Sequence, residues 1–180
     1  MPVPLPPETR ILEAMKNIAT AQAATIQAAF ALSTSPTVRH FRHRHALKTE
    51  KPCIALLLVG SEVDNERGRV HTSSEQCWAM TVKIVVDLGL LPEMGVAVPA
   101  GDDNDATGWD RMLGIARTVA GLYVAMNSSL RELVDDVMFG DIDPDEDSQP
   151  DDGRLAIAVD VLYRTLYEDP LFLLAPGENA

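Results

Sequence analysis

Cysteine is scarce in this chain: Cys53 and Cys77 are the only two among 180 residues. Both lie in apolar or strand-like runs, without the spacing of a disulfide framework or a metal knuckle, and are expected as reduced core thiols. Aromatic residues make up only 5% of the sequence. Trp78 and Trp109 fall on apolar faces and only Phe41 is interleaved with arginines, which favours core packing over a base-stacking platform. No apolar run approaches the roughly 20 residues that cross a bilayer. The proline-rich opening, Met1 to Pro7, has neither the basic start nor the apolar stretch of a secretory signal, so synthesis in the cytoplasm is the expectation.

Basic residues are also in the minority. Fifteen Lys and Arg against 27 Asp and Glu give a formal charge of -12, which opposes non-specific binding to phosphate backbones. Phosphate-cradling glycine loops are missing in both their G-x-G-x-x-G and G-x-x-x-x-G-K-[ST] forms, and so is a G-x-S-x-G nucleophile turn. Gly108, Gly114 and Gly121 are instead spread along a helical pattern, where small residues allow close packing.

What remains is ordinary for a folded domain: 46% hydrophobic and 23% charged residues, enough for one compact unit with its own core. A first helix is expected from Glu8 to about Leu32, with Ile11, Leu12, Met15, Ile18, Ala19 and Ile26 at steps of three and four. Val38 to Leu47 reads as a strand. Cys53 to Val59, started by Pro52 and apolar on both faces, reads as a second, centrally placed strand. Gly60 to Glu75 reads as a long polar connection.

From Trp78 to Leu88 apolar residues alternate with Thr81, Lys83 and Asp87, the clearest strand pattern in the chain. A second helix follows from the possible caps at 101–105 to about Asn127. Leu130 to Phe139 fits a short helix or a strand, and residues 140–153 are too acidic and proline-broken to pack. A last strand carries Leu155, Ile157, Val159, Val161 and Tyr163 on one face and Asp160 and Arg164 on the other. The expectation is a single α+β domain spanning 1–180, with a mostly antiparallel sheet packed against two main helices.

Three clusters invite chemistry. Residues 39–45 hold three histidines and three arginines. On a strand His43 and His45 share a face with Phe41 while His40 sits with Arg42 and Arg44, and the arginines repel a cation, so no metal site is expected. Asp103 to Gly108 starts like a calcium-binding EF-hand loop, but Gly114 stands where the bidentate Glu belongs. Asp141, Asp143, Asp145 and Asp147 alternate, yet lack the turn glycine and closing Glu. No cofactor and no catalytic residue is expected.

Charge segregation is the stronger signal. Arg39, Arg42, Arg44, Lys48 and Lys51 stand against one Glu50, leaving ten basic and 26 acidic side chains elsewhere. A charged edge strand that deters aggregation is one reading. The other is a head-to-tail contact between identical subunits, the basic ribbon of Arg39, Arg42, Arg44 and Lys48 meeting an acidic loop with Asp141, Asp143, Asp145 and Asp147.

Several local patterns point to a family. The opening helix with Ile11-Leu-Glu-Ala-Met15, the strand Lys51-Pro-Cys-Ile-Ala-Leu56, the strand ending Val82-Lys-Ile-Val-Val-Asp87, and Val159-Asp-Val-Leu-Tyr-Arg-Thr165 followed by Asp169-Pro170 resemble the tail terminator, or tail completion, proteins of long-tailed bacteriophages and gene-transfer particles. The resemblance spans most of the chain. It implies a structural, non-enzymatic subunit whose ring, usually hexameric, closes the head-proximal end of a tail tube. Its partners would be other copies of itself, the tail tube protein and a neck or head-completion protein, with no membrane and with DNA only passing through. A head-completion or stopper ring of the same neck is the nearer alternative; a small metal-dependent enzyme using His40 to His45 is the farther one. The acidic segment 140–153 and the arginine- and histidine-rich first strand depart from a minimal member.

Overall fold

The computed structural model describes residues 5–41, 52–64, 75–88, 104–125, 128–140 and 154–176. Three helices, α1 (Pro7–Ala29), α2 (Asn104–Val124) and α3 (Ser128–Arg131), accompany five strands: β1 (Thr37–Phe41), β2 (Cys53–Val63), β3 (Glu75–Asp87), β4 (Asp136–Phe139) and β5 (Arg154–Leu166). The strands form one sheet in the order β1-β2-β3-β5-β4. The fold is therefore α+β with a mostly antiparallel sheet, as the hydrophobic patterning implies.

The spine of the sheet is the antiparallel pair β3 and β5, in register from Glu75 opposite Leu166 to Asp87 opposite Arg154. Because side chains alternate along a strand, one face of this ladder carries Met80, Val82, Ile84, Val86, Ile157, Val159 and Val161, all buried. That face meets α1 and α2. Ile11, Leu12, Met15 and Ile26 from α1, with Met112, Ile115, Val119 and Tyr123 from α2, close the same core. A smaller cluster on the opposite face joins Cys53, Ala55, Val85 and Ala156. Each β2 residue from Cys53 to Leu56 is buried, in keeping with an interior strand apolar on both faces.

Helix α1 begins at its proline. Pro6 is the cap and Pro7 the first helical residue, where the missing N–H is one that the helix leaves unpaired anyway. No helix among the described residues is long and apolar enough to cross a membrane.

Several details differ from the pattern in the sequence. Strand β1 runs parallel to β2, with Thr37 level with Cys53 and Phe41 level with Leu57. Consecutive strands are expected to be antiparallel, but here the long stretch between Phe41 and Cys53 has the length that a parallel crossover needs. Strand β2 passes Gly60 and ends at Val63, through an irregularity between Leu58 and Gly60, so the expected polar connection is shorter at both ends. Polar residues Ser61 and Glu62 belong to the strand because β3 pairs with them, opposite Met80 and Ala79, while they stay exposed. The segment before the acidic run holds both a helical turn and a strand, α3 and β4. Residues 42–47 of the expected first strand, and 141–153 of the expected acidic loop, lie outside the described residues.

The glycines of α2 divide. A Cβ at Gly114 would lie 2.6 Å from the Phe30 ring, whereas a Cβ at Gly121 would meet nothing within 4 Å. Close packing explains the first glycine but not the second. Gly121→Ala should raise unfolding stability by about 0.5–1 kcal/mol, the helical preference for alanine, while Gly114→Ala should lower it by about 1 kcal/mol through overpacking. Thermal or denaturant unfolding of the two variants checks the opposite signs.

Candidate functional site

Of the expected contact residues, Arg39 alone lies among the described ones. Arg39 stands exposed on β1, one edge strand, and the half-buried Asp136 on β4, the other. Four strand spacings separate the two edges, roughly 19 Å at the usual spacing of ~4.8 Å. In the sequence β1 continues into Arg42, Arg44 and Lys48, and β4 into Asp141, Asp143, Asp145 and Asp147; these seven residues lie outside the described ones. The structure thus separates the roots of the basic and acidic runs to opposite edges of one sheet, too far apart for their strands to meet within one subunit.

His40 does not join a histidine cluster in the described residues. Its Nδ1 lies 3.3 Å from Glu13 Oε2 on α1, on the helix-bearing side of β1. Glu13 in turn accepts a 2.7 Å bond from Lys16, and that bond, aided by the nearby charge of Lys16 and His40, holds the Glu13 carboxyl below its ordinary value. Among the described residues no group of three or more His, Cys, Asp or Glu is placed to hold a metal ion. His43 and His45 lie outside the described residues.

The β4 edge is anchored by a buried ion cluster. Arg164, on β5, reaches Asp135 with Nε at 3.0 and 3.2 Å from the two carboxylate oxygens. Its Nη1 lies 3.0 Å from Glu75 on β3, and its Nη2 donates to the Ala175 carbonyl at 3.4 Å. The Arg164 and Glu75 side chains are only 11% and 2% exposed. A charge so deeply placed needs these partners, and the two carboxylates hold the guanidinium charged against the pull of burial. One side chain therefore fixes β3, β5, the entry to β4 and the C-terminal segment together.

Gly140 brings the chain after β4 hard against β5: an added Cβ would lie 3.1 Å from Ala158 Cβ and 3.3 Å from its backbone. Beside the cluster, Cys77 shares a small cavity of about 210 Å³ with Asp64, Asp135 and Arg164. Burial, reinforced by Asp135, pushes its thiol up, so Cys77 stays protonated at neutral pH and is a weak nucleophile.

A second, open hollow of about 770 Å³ lies on the helix-free face near β4, lined by Glu62, Asp64, Thr81, Met138 and Asp160 among others. Thr81 donates to Asp160 across the β3–β5 pair at 2.7 Å. The hollow shares the negative sign of the β4 edge. Exposed apolar side chains mark the same edge: Met138 is 39% and Phe139 52% exposed.

The run Tyr163-Arg164-Thr165 is structural throughout. Tyr163 stacks on its cross-strand partner Trp78 with ring centroids 6.4 Å apart and planes 8° from parallel. Its hydroxyl donates to Glu8 at 2.9 Å, tying β5 to the start of α1. Thr165 accepts a bond from the Trp78 indole N–H at 3.0 Å. Sequence pattern does not single out the Glu75, Asp135 and Arg164 cluster, since Arg164 occupies the same polar alternation as the half-exposed Asp160. Nor does it mark Asp136 and Phe139 as an edge, which depends on strand order.

Comparison with protein-family models and with curated proteins finds no match to this chain.

Replacing Arg164 with Met should cost about 3–5 kcal/mol, because two carboxylates lose their shared buried cation. Arg164→Lys should recover only part of that loss, since one ammonium cannot span Asp135, Glu75 and the Ala175 carbonyl, which the guanidinium meets with three separate nitrogens. Denaturant unfolding measures both; equal stability of the Met variant and the native chain would contradict the cluster's role.

Proposed function

We propose that this chain is a structural ring subunit of a phage-type tail, closing the head-proximal end of the tail tube and presenting a surface to the neck. The observation that carries the reading is that β1, which holds Arg39 and leads in sequence into the basic run, and β4, which leads into the acidic run, form opposite edges of one sheet. A surface that is basic at one end and acidic at the other is complementary to a neighbour displaced sideways in the same orientation, and such head-to-tail contacts close into rings when the rotation permits. The resemblance of the opening helix, the central strands and the Tyr-Arg-Thr ending to tail terminator proteins supplies the particular ring.

On this reading the protein works by recognition, without turnover of a substrate. Ring closure places unlike surfaces on the two rims, one for the tail tube protein and one for a neck or head-completion protein. Assembly takes place in the cytoplasm of a bacterial host, and the ring ends in the tail or neck of the particle. The stopper ring of the same neck is the second reading, favoured by the same edge charges; it differs in preferring the portal side to a tube end.

Two outcomes are expected. Adding the protein to growing tubes of the tail tube protein encoded beside it should halt elongation and leave the ring at one tube end; tubes that continue to lengthen would contradict the terminator role. Arg42→Glu together with Arg44→Glu should raise the concentration needed for self-assembly about tenfold, the effect of roughly 1.4 kcal/mol at a subunit contact. Raised salt should weaken the native assembly in the same direction. Unchanged assembly of the charge-reversed chain at low salt would contradict the contact.

A further inference from the structure

We infer that neighbouring subunits join by strand addition, β1 of one copy pairing antiparallel with β4 of the next, so that the sheet continues from subunit to subunit. The inference rests on the ring reading and specifies its contact.

Strand direction supplies the first argument. Strand β2 runs with β1, β3 against β2, β5 against β3 and β4 against β5. The two edge strands, β1 and β4, therefore point in opposite directions. Copies related by rotation about an axis along the strands keep those directions, so β1 of one meets β4 of the next as an antiparallel pair. That is the stronger ladder type, formed without any crossover.

Backbone geometry supplies the second. Thr37 N–H bonds Pro52, so in the parallel β1–β2 pair the backbone groups of Thr37 and Arg39 face β2 and those of Val38 and His40 face outward. Gly140 N–H bonds Ala158. With the β4–β5 register, the alternation turns Val137 and Phe139 outward. Each edge thus offers two residues with outward N–H and C=O groups. The register that uses all four sets Phe139 opposite Val38 and Val137 opposite His40.

Side chains fit that register. Phe139 and Val137 lie on the helix-bearing face of the sheet, as do Val38 and His40, so the half-exposed Phe139 ring gains the flank of Val38. On the other face Arg39 falls opposite Met138 and diagonal to Asp136, within reach of a long side chain. In the free subunit the Asp136 carboxylate accepts the outward Val137 N–H at 2.9 Å. An incoming strand takes over that N–H and frees the carboxylate for Arg39. A two-fold pairing of β1 with β1 would instead set Arg39 against Arg39, and one of β4 with β4 would bring no base to Asp136, which favours the second copy's opposite edge as the occupant. An edge strand such as Asp136–Phe139, with Met138 and Phe139 exposed, is what such an addition uses and what an isolated protein would blunt.

The test blocks one edge at a time. In Phe139→Pro the lost N–H points away from β5, and in His40→Pro it points away from β2, so each proline spares the subunit's own ladder. Each variant alone should run as a monomer with the circular dichroism of the native chain. An equimolar mixture should give a dimer and nothing larger, because only one edge of each copy remains open.

Native rings that form equally well with either proline would overturn the edge pairing while leaving the ring reading standing, as would a mixture of folded variants that stays monomeric. A native chain that is monomeric at every concentration would overturn both. If a proline unfolds its subunit, mixed Val38→Cys and Phe139→Cys chains decide: oxidation should link unlike chains, and failure to link them in assembled protein overturns the pairing. Within one copy the two positions are on opposite edges, too far apart for a disulfide.

Discussion

The long antiparallel ladder between β3 and β5 is the constraint from which the other features follow. It runs the full 13 residues of each strand, and its fixed register decides which side chains face the helices. On one face it aligns the valines and isoleucines that α1 and α2 cover. On the other it sets Thr81 against Asp160 and Cys77 beside Arg164. A slip of one residue would turn every apolar side chain out of the core and the buried Arg164 into it. The hydrophobic face and the ion cluster therefore enforce the same register from opposite sides.

From this ladder the edges are determined. Strand β2 adds on one side through a hairpin and β1 joins it by a crossover, while β4 adds on the other side, held by Arg164 through Asp135. The basic run starts where the sheet ends on one side and the acidic run where it ends on the other. Arg39 and Asp136 accordingly stand on opposite edge strands, and the two edges of the sheet are unlike. That polarity supports head-to-tail assembly, and the dry pairing of Phe139 with Val38 gives the proposed contact an apolar centre inside a charged surround.

Much of the fold is legible in the sequence because hydrophobic period reports burial directly. The helical steps from Ile11 to Ile26 and the alternation from Trp78 to Leu88 each reflect one face against the core, and both elements form where the pattern puts them. Features that depend on partners distant in the chain are not legible. The direction of β1 relative to β2 is set by the crossover, and residues 60–63 extend β2 because β3 pairs with them although Ser61 and Glu62 are polar. Arg164 reads as a solvated charge since Glu75 and Asp135 are brought to it only by folding. The charged runs themselves are plain in the sequence, but that β1 and β4, which lead into them, form opposite edges requires the strand order β1-β2-β3-β5-β4.

The central claim is that the chain assembles head to tail into a closed ring, and the symmetry of the purified assembly tests it most directly. Electron-microscopic class averages viewed along the axis, with the particle mass from native mass spectrometry, give both the rotation order and the copy number. Head-to-tail assembly should give closed rings of more than two copies with simple rotational symmetry and one ring size. A particle limited to a two-fold dimer, in which the same edge meets itself, would contradict it.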